Sequence, residues 1–211
     1  MRAAWSLAIP VLLCGCSSSP KHAENSEIPA SVETPDHYRV NFETTQGNFV
    51  VEAVSAWAPK GAARFHKLVH DGFYDGARFY RVRPKFVVQW GISQDPKTNE
   101  LWKQLKITDD PVKQSNQRGF VSFATDGPNT RTTEVFINLV DNKRLDARGF
   151  APFGRVSEGM DVVDKLYSGY GEVQGLHGPG VDAVQYQLQG EGYIQRHFPK
   201  LDQIKSARIV Q

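Results

Sequence analysis

Two short segments concentrate the side chains able to do chemistry. The first is Phe79-Tyr80-Arg81-Val82-Arg83-Pro84-Lys85-Phe86-Val87-Val88-Gln89-Trp90-Gly91. The second is Phe123-Ala124-Thr125-Asp126-Gly127-Pro128-Asn129-Thr130, resuming at Glu134-Val135-Phe136-Ile137-Asn138. On a strand, alternate residues share a face. Val87 and Gln89 then lie together, opposite Val88 and Trp90; Glu134, Phe136 and Asn138 lie opposite Val135, Ile137 and Leu139. The faces carrying Val88, Trp90, Val135 and Ile137 have the make-up of packing surface. The other faces set isolated polar groups on an apolar floor, the composition of a ligand groove rather than a core. In the first segment Arg81 offers a fork of N–H donors and a charge that deprotonation cannot remove. The chemistry such a group can do is hydrogen bonding and electrostatic stabilisation. No Ser or Asp stands in a triad arrangement. His66 and His70 have the i, i+4 spacing of two helix-borne metal ligands, but no acidic residue completes an H-E-x-x-H motif. They read as solvated helix side chains, and no metal is expected.

The elements that must position these segments follow from periodicity and turn chemistry. Tyr38–Thr44 and Asn48–Val54 alternate apolar and polar around Thr45-Gln46-Gly47, which predicts a hairpin. Pro59 suits the first turn of a helix running to His70, with Ala63, Phe65, Leu68 and Val69 for its buried side and Asp71-Gly72 as its stop. Arg78–Val82 and Phe86–Trp90 form two short strands joined at Pro84. Asp95 to Gln117 is polar, a surface loop with a brief helix around Leu101–Leu105. Strands follow at Phe120–Ala124, Val135–Leu139 and Pro152–Val156, then a helix at Met160–Tyr167. The glycine-rich stretch Gly169–Gly180 does not follow a strand and does not match a dinucleotide fingerprint, so it is a loop. A helical stretch over Asp182–His197 and a strand at Ala207–Val210 end the chain. Many short strands with few helices point to an all-β barrel or sandwich.

Length and composition bound the rest. The 211 residues suffice for one domain plus an extension, and 40% hydrophobic with 23% charged residues is the balance of a soluble globular chain. A formal charge of +2 supplies no case for nucleic acid. At the N-terminus Met1-Arg2 precedes the apolar run Trp5–Leu13, interrupted by Pro10. The run falls short of the roughly 20 residues that span a bilayer, so residues 1–15 read as a signal peptide. Leu13-Cys14-Gly15-Cys16 resembles the bacterial lipobox: by that resemblance cleavage follows Gly15 and the thiol of Cys16 takes a diacylglycerol. The mature chain then keeps no free thiol, and loss of Arg2 leaves 24 of 25 basic residues against 23 acidic, net +1. Residues 16–36 are rich in Ser, Pro, Glu, Lys and Ala and read as a disordered tether, with a reach of roughly 25 Å. Residues 37–211 form the folded domain.

The two segments resemble the two signature blocks of the cyclophilin family. Leu145-Asp146, Phe153-Gly154-Arg155-Val156 and Glu158-Gly159-Met160-Asp161-Val162-Val163 extend the match across the folded domain. The resemblance implies an all-β fold, an eight-stranded antiparallel β-barrel capped by two α-helices. It implies a peptidyl-prolyl cis/trans isomerase working on proline-containing polypeptides as a monomer, with no cofactor and no metal. By the same resemblance Arg81 stabilises the twisted amide. Phe86, Val87 and Phe136 belong to the pocket for the proline ring, and Leu145 and Glu134 are further substrate-binding positions. Gln89 hydrogen-bonds the substrate backbone, and Ala124 and Thr125 form the groove edge. Three departures stand out. Glu134 replaces a glutamine in the groove, where a carboxylate beside Arg81 would partly satisfy the guanidinium. Arg144 stands where drug-sensitive members carry a tryptophan, which implies weak cyclosporin binding because the flat indole and its N–H are both missing. Around Ala147–Phe150 the spacing slips by a residue and the groove histidine has no counterpart. Glu134 keeps a second reading open, a non-catalytic proline-segment binding or chaperone module on the same scaffold. With Ser17 after the lipidated cysteine, the resemblance to Gram-negative lipoproteins places the protein on the outer membrane, facing the periplasm; in a Gram-positive cell the same anchor means the outer face of the single membrane.

Overall fold

The hairpin forms where the alternation places it. A computed structural model describes residues 33–210 and gives β1 (His37–Thr44) and β2 (Gly47–Val54), in register from His37 opposite Val54 to Thr44 opposite Gly47. The signal peptide, Cys16 and most of the tether lie outside the described residues. Gly47 at φ +123° closes the two-residue turn with a backbone that a side chain would strain. Both edges of the hairpin are extended, β1 by β8 (Ile204–Val210) and β2 by β7 (Pro152–Glu158). Beyond β7 come β5 (Phe120–Phe123), β6 (Val135–Asn138), β4 (Val87–Trp90) and β3 (Arg81–Arg83), all antiparallel, in the order β3-β4-β6-β5-β7-β2-β1-β8.

The eight-stranded sheet curls until its two ends meet. Arg78 bridges Gln203, the Phe79 N–H donates to the Asp202 carbonyl (3.1 Å), and the Gly76 and Ile204 N–H groups bond the carbonyls of Ile204 (2.8 Å) and Ala77 (2.9 Å). This closure explains why β3 begins at Arg81 and not at Arg78. Residues 76–79 spend their main chain on the segment leading into β8, so neither end leaves a long open edge.

Inside lies an aromatic cluster. The buried Trp90 ring meets Phe42 and Phe79 at 5.6 Å and Tyr74 at 6.2 Å between centroids, mostly edge-on. Helix α1 (Pro59–His70) covers this cluster with Phe65, Leu68 and Val69. Its buried face includes Ala62 and not the expected Ala63, which is exposed. It also includes His66, expected to be solvated: the imidazole packs edge-on against Tyr38 at 4.9 Å, and burial lowers its pKa. His70 remains on the exposed side.

The other helices differ in their bounds for local reasons. Helix α2 (Pro96–Lys103) starts earlier than the apolar residues suggest, because the Asp95 carboxylate accepts the N–H groups of Lys97 and Thr98 ahead of Pro96. Helix α3 is confined to Met160–Asp164, and the Tyr167 N–H instead donates to the Asp202 carboxylate (2.7 Å). The stretch over 182–197 is two helices, α4 (Ala183–Gln189) and α5 (Glu191–His197). Gly190 breaks them at φ +63°, where a Cβ would lie 2.2 Å from the Gln94 carbonyl oxygen. Tyr80, Ile92, Val173, Tyr186, Ile194 and Leu201 form a second apolar cluster that seats this region beside β3.

One buried ion pair ties α1 to the loop that enters β6. Asp110 and Arg131, with side chains only 1% and 5% exposed, meet at 3.1 Å. Asp110 also accepts the N–H groups of Lys60 (3.1 Å) and Gly61 (2.9 Å) in the first turn of α1. Replacing Asp110 by Ala leaves the buried Arg131 guanidinium with only Asp109 (3.3 Å) and the Thr108 carbonyl, removes the acceptor of the Lys60 and Gly61 N–H groups, and is expected to cost about 3 kcal/mol. Urea denaturation measures it. A loss below about 1 kcal/mol would show that Asp109, the Thr108 carbonyl and water satisfy the groups left behind.

Candidate active site

Strand register assembles the site. Arg81 lies opposite Gln89 in the β3–β4 pair, and Gln89 lies opposite Phe136 in the β4–β6 pair. These residues therefore form one row across the outer face of the sheet. The intervening residues Val82, Val88 and Ile137 point into the barrel core, as the alternation predicts. Val87, Phe136 and Leu145 pack as a separate apolar cluster, with Phe86, Ala124 and Phe150 against it. They floor an open cavity of about 550 Å³, with Arg81, Gln89, Thr125 and Glu134 also on its walls.

The turn between β3 and β4 presents Phe86. Lys85 takes the left-handed conformation at φ +61°, and the Phe86 N–H closes on the Arg83 carbonyl at 3.0 Å. Arg81 stands over the Phe86 ring at 5.6 Å and Arg144 at 4.9 Å, so one aromatic ring meets two guanidinium groups. Leu145 arrives on a 3₁₀ turn (Lys143–Arg148) anchored from below. There Asn142 donates to the Phe86 carbonyl (3.0 Å) and to Asn138 (2.9 Å), while Asp146 accepts from the Ser115 hydroxyl (2.6 Å) and the Asn116 N–H (2.9 Å). Burial works against the Asp146 carboxylate, but the hydrogen bonds from Ser115 and Asn116 outweigh it and hold the pKa below the ordinary range.

The carboxylate beside Arg81 is Glu172, not Glu134. Arg81 Nη2 donates to Glu172 Oε2 at 2.9 Å, and Nη1 donates to Gln89 Oε1 at 2.9 Å. Nε lies 2.6 Å from Glu172 Oε1 as a charge contact, although its N–H does not aim at that oxygen. Both side chains are 13% exposed. Glu172 takes further bonds from Arg83 Nη1 (3.0 Å) and the Val173 N–H (3.0 Å). Burial opposes its ionisation, and these donors overcome that and lower its pKa.

Glu134 is engaged elsewhere. It accepts from the Tyr80 hydroxyl, from Gln89 Nε2 (3.0 Å) and from Gln187 Nε2 (3.3 Å). The residue keeps some exposure along the groove while its carboxylate is enclosed by protein, and burial raises its pKa despite the hydrogen bonds from Tyr80 and Gln89. Gln89 is thereby committed on both ends of its amide, to Arg81 through oxygen and to Tyr80 and Glu134 through nitrogen. Its geometry is that of an orienting group for Arg81 more than of a free donor to a ligand. Thr125 edges the cavity with its hydroxyl turned back on its own loop, toward the Gly127 carbonyl and Thr130.

All the expected residues line the one groove, and the structure adds several that sequence reasoning did not reach. Phe150 follows Gly149 at φ +83° and sets its ring edge-on to Phe136 at 5.6 Å, filling the stretch whose spacing slips. Tyr80, Gln187 and Glu172 complete the polar network. Leu176 and Val184, 55% and 61% exposed, form the far wall. Among the described residues no group of His, Cys, Asp or Glu has the arrangement of a metal site.

Comparison with known proteins places the fold and the family. A profile of the family described as cyclophilin-type peptidyl-prolyl cis-trans isomerase/CLD matches residues 39–182. The peptidyl-prolyl cis-trans isomerase A of Dickeya dadantii is 38% identical over 180 residues, covering 80% of this chain and 82% of that protein. A peptidyl-prolyl cis-trans isomerase of Acinetobacter baylyi is 36% identical over 149 residues, 65% of this chain and 76% of that protein. Among solved structures, a cyclophilin-type isomerase of Cryptosporidium parvum determined in the presence of the dipeptide Ala-Pro superposes with a TM-score of 0.59 at 20% identity, covering 82% of this chain and 99% of that one.

The raised pKa of Glu134 has a consequence for stability. The folded state binds a proton that the unfolded chain releases above its ordinary value of 4.5, so stability falls as pH rises through that window. Glu134→Gln keeps an acceptor for Tyr80 without the buried charge. It is expected to be more stable than wild type at pH 7, with the gap closing below pH 4.5. Urea midpoints at the two pH values test this. A variant less stable at pH 7 would mean that the bonds made to the charged carboxylate outweigh its desolvation.

Proposed function

The chain belongs to the cyclophilin-type peptidyl-prolyl cis-trans isomerases, and we propose that Arg81 is the group that lowers the barrier to X–Pro rotation while a lipid on Cys16 holds the protein at the cell envelope. The observation that carries the catalytic assignment is Arg81, oriented by Gln89, beside the apolar cluster of Phe86, Val87, Phe136 and Leu145. Amide resonance gives the X–Pro bond a barrier of about 18–20 kcal/mol. As the bond twists, conjugation is lost and the prolyl nitrogen regains a lone pair. A fixed guanidinium N–H can bond that nitrogen or the adjacent carbonyl in the twisted state more strongly than in either planar isomer. An acceleration of about four decades requires roughly 5–6 kcal/mol of such differential stabilisation. The proline ring, seated on Phe136 and Leu145, provides the grip; Ala124 and Thr125 bound the groove, and Gln89 orients the arginine. The reaction calls for no nucleophile and no cofactor.

Pairing of Arg81 with Glu172 is the observation that favours the second reading, a module that binds proline segments without turnover, because a neutralised arginine pulls less on substrate. Catalysis decides. Wild type is expected to accelerate cis-to-trans conversion of an Ala-Pro test peptide, and Arg81→Ala to lower kcat/KM by about 100-fold with an unchanged circular dichroism spectrum. No acceleration by a well-folded protein would leave only the binding module.

The envelope assignment rests on the sequence of residues 1–36 alone. Cleavage after Gly15, lipidation of Cys16 and a polar tether would place the domain at the periplasmic face of the outer membrane in a Gram-negative cell. Labelled fatty acid fed to producing cells is expected to enter the wild-type protein and not Cys16→Ala. Equal labelling of the two, or none of either, contradicts the anchor.

A further inference from the structure

The glycine-rich segment between α3 and α4 delivers one side chain to the reaction centre. Arg81 and Arg83 lie two residues apart on β3 and so project from the same face, where like charges repel. Glu172 bridges them, with Oε2 accepting from Arg81 Nη2 (2.9 Å) and Arg83 Nη1 (3.0 Å). The carboxylate is itself held by the Val173 N–H, and Val173 is buried in the second apolar cluster. Its backbone is equally constrained. The Glu172 carbonyl accepts the Gly180 N–H at 2.8 Å, and a Cβ on Gly178 or Gly180 would lie 2.1 or 2.6 Å from that oxygen. The glycines thus let the loop fold tightly around residue 172, a built mount for one carboxylate.

On the isomerase reading given above, we propose that Glu172 is a positioning residue for the reaction, holding one edge of the Arg81 guanidinium so that its remaining N–H groups are fixed for the prolyl amide. Gln89 holds Arg81 through Nη1 and Glu172 through Nη2, which leaves N–H groups to spare on both nitrogens. Without Glu172, Arg81 would keep one tether, face the charge of Arg83, and sample orientations that miss the twisted amide. Positioning errors of this kind fall on the transition state, and so on kcat more than KM.

A double-mutant cycle on the full chain tests the proposal, using kcat and KM for an Ala-Pro peptide. Glu172→Ala is expected to lose about tenfold in kcat/KM, chiefly through kcat. In the Arg81→Ala background the same substitution is expected to change nothing, because the residue it positions is gone. Glu172→Gln, which keeps an acceptor oxygen and the side-chain volume, is expected to fall between wild type and Glu172→Ala. Equal losses in both backgrounds would overturn the proposal by showing that Glu172 merely supports its loop. An unchanged or faster rate in Glu172→Ala would overturn it too, by showing that the carboxylate restrains Arg81. Collapse of Arg81→Ala with an unaffected Glu172→Ala removes this inference alone, whereas an inactive wild type removes the isomerase reading and this inference with it.

Discussion

The site depends on the register of three short strands. Arg81, Gln89 and Phe136 share a row because β3 pairs with β4 and β4 with β6 in one alignment. A slip of a single residue would turn each of these side chains inward and bring the core residues out. What forbids the slip is the other face of the same strands. Trp90, Val88, Val135 and Ile137 are completely buried, and the Trp90 indole is ringed by Phe42, Tyr74 and Phe79. Turning those groups to water would forfeit roughly 1.5–3 kcal/mol for each large side chain. The barrel core thereby specifies which residues face the groove.

On that frame the groove separates two carboxylates by environment. Glu134, enclosed by protein and bonded by neutral donors, has its pKa raised by burial. Glu172 sits between two guanidinium groups and has its pKa lowered despite burial. The two are linked through Gln89, whose amide oxygen takes Arg81 and whose nitrogen serves Tyr80 and Glu134. A glutamine at this position links the enclosed acid to the largely buried Arg81, which Glu172 holds on its other nitrogen.

Much of this was legible in the sequence, and the failures have physical causes. The strands and α1 followed from alternation and from Pro59, because each is a local pattern with a buried side. The inward and outward faces of β4 and β6 followed from the same alternation. Glu172 did not, since it is 91 residues from Arg81 and lies in a loop whose glycines show only that the backbone turns tightly. The expectation that Glu134 partners Arg81 failed because a neutral alternative, the Tyr80 hydroxyl with Gln89 and Gln187, was available on the same side. Phe150 was obscured by the extra residue near Gly149, a slip that only the three-dimensional path resolves. His66 illustrates the converse. A polar type suggested solvent, while packing against Tyr38 placed it in the core.

On the proposed function, a rigidly held Arg81 meets a prolyl amide whose ring is gripped by Phe136 and Leu145. A crystal structure of the protein with a short Ala-Pro peptide would show that contact or its absence. The proline ring is expected on Phe136 and Leu145, with an Arg81 N–H within about 3 Å of the prolyl nitrogen or the preceding carbonyl and Glu172 still on the opposite edge of the guanidinium. A proline seated outside this cluster, or an Arg81 with every donor turned away from the peptide, would contradict the proposed function.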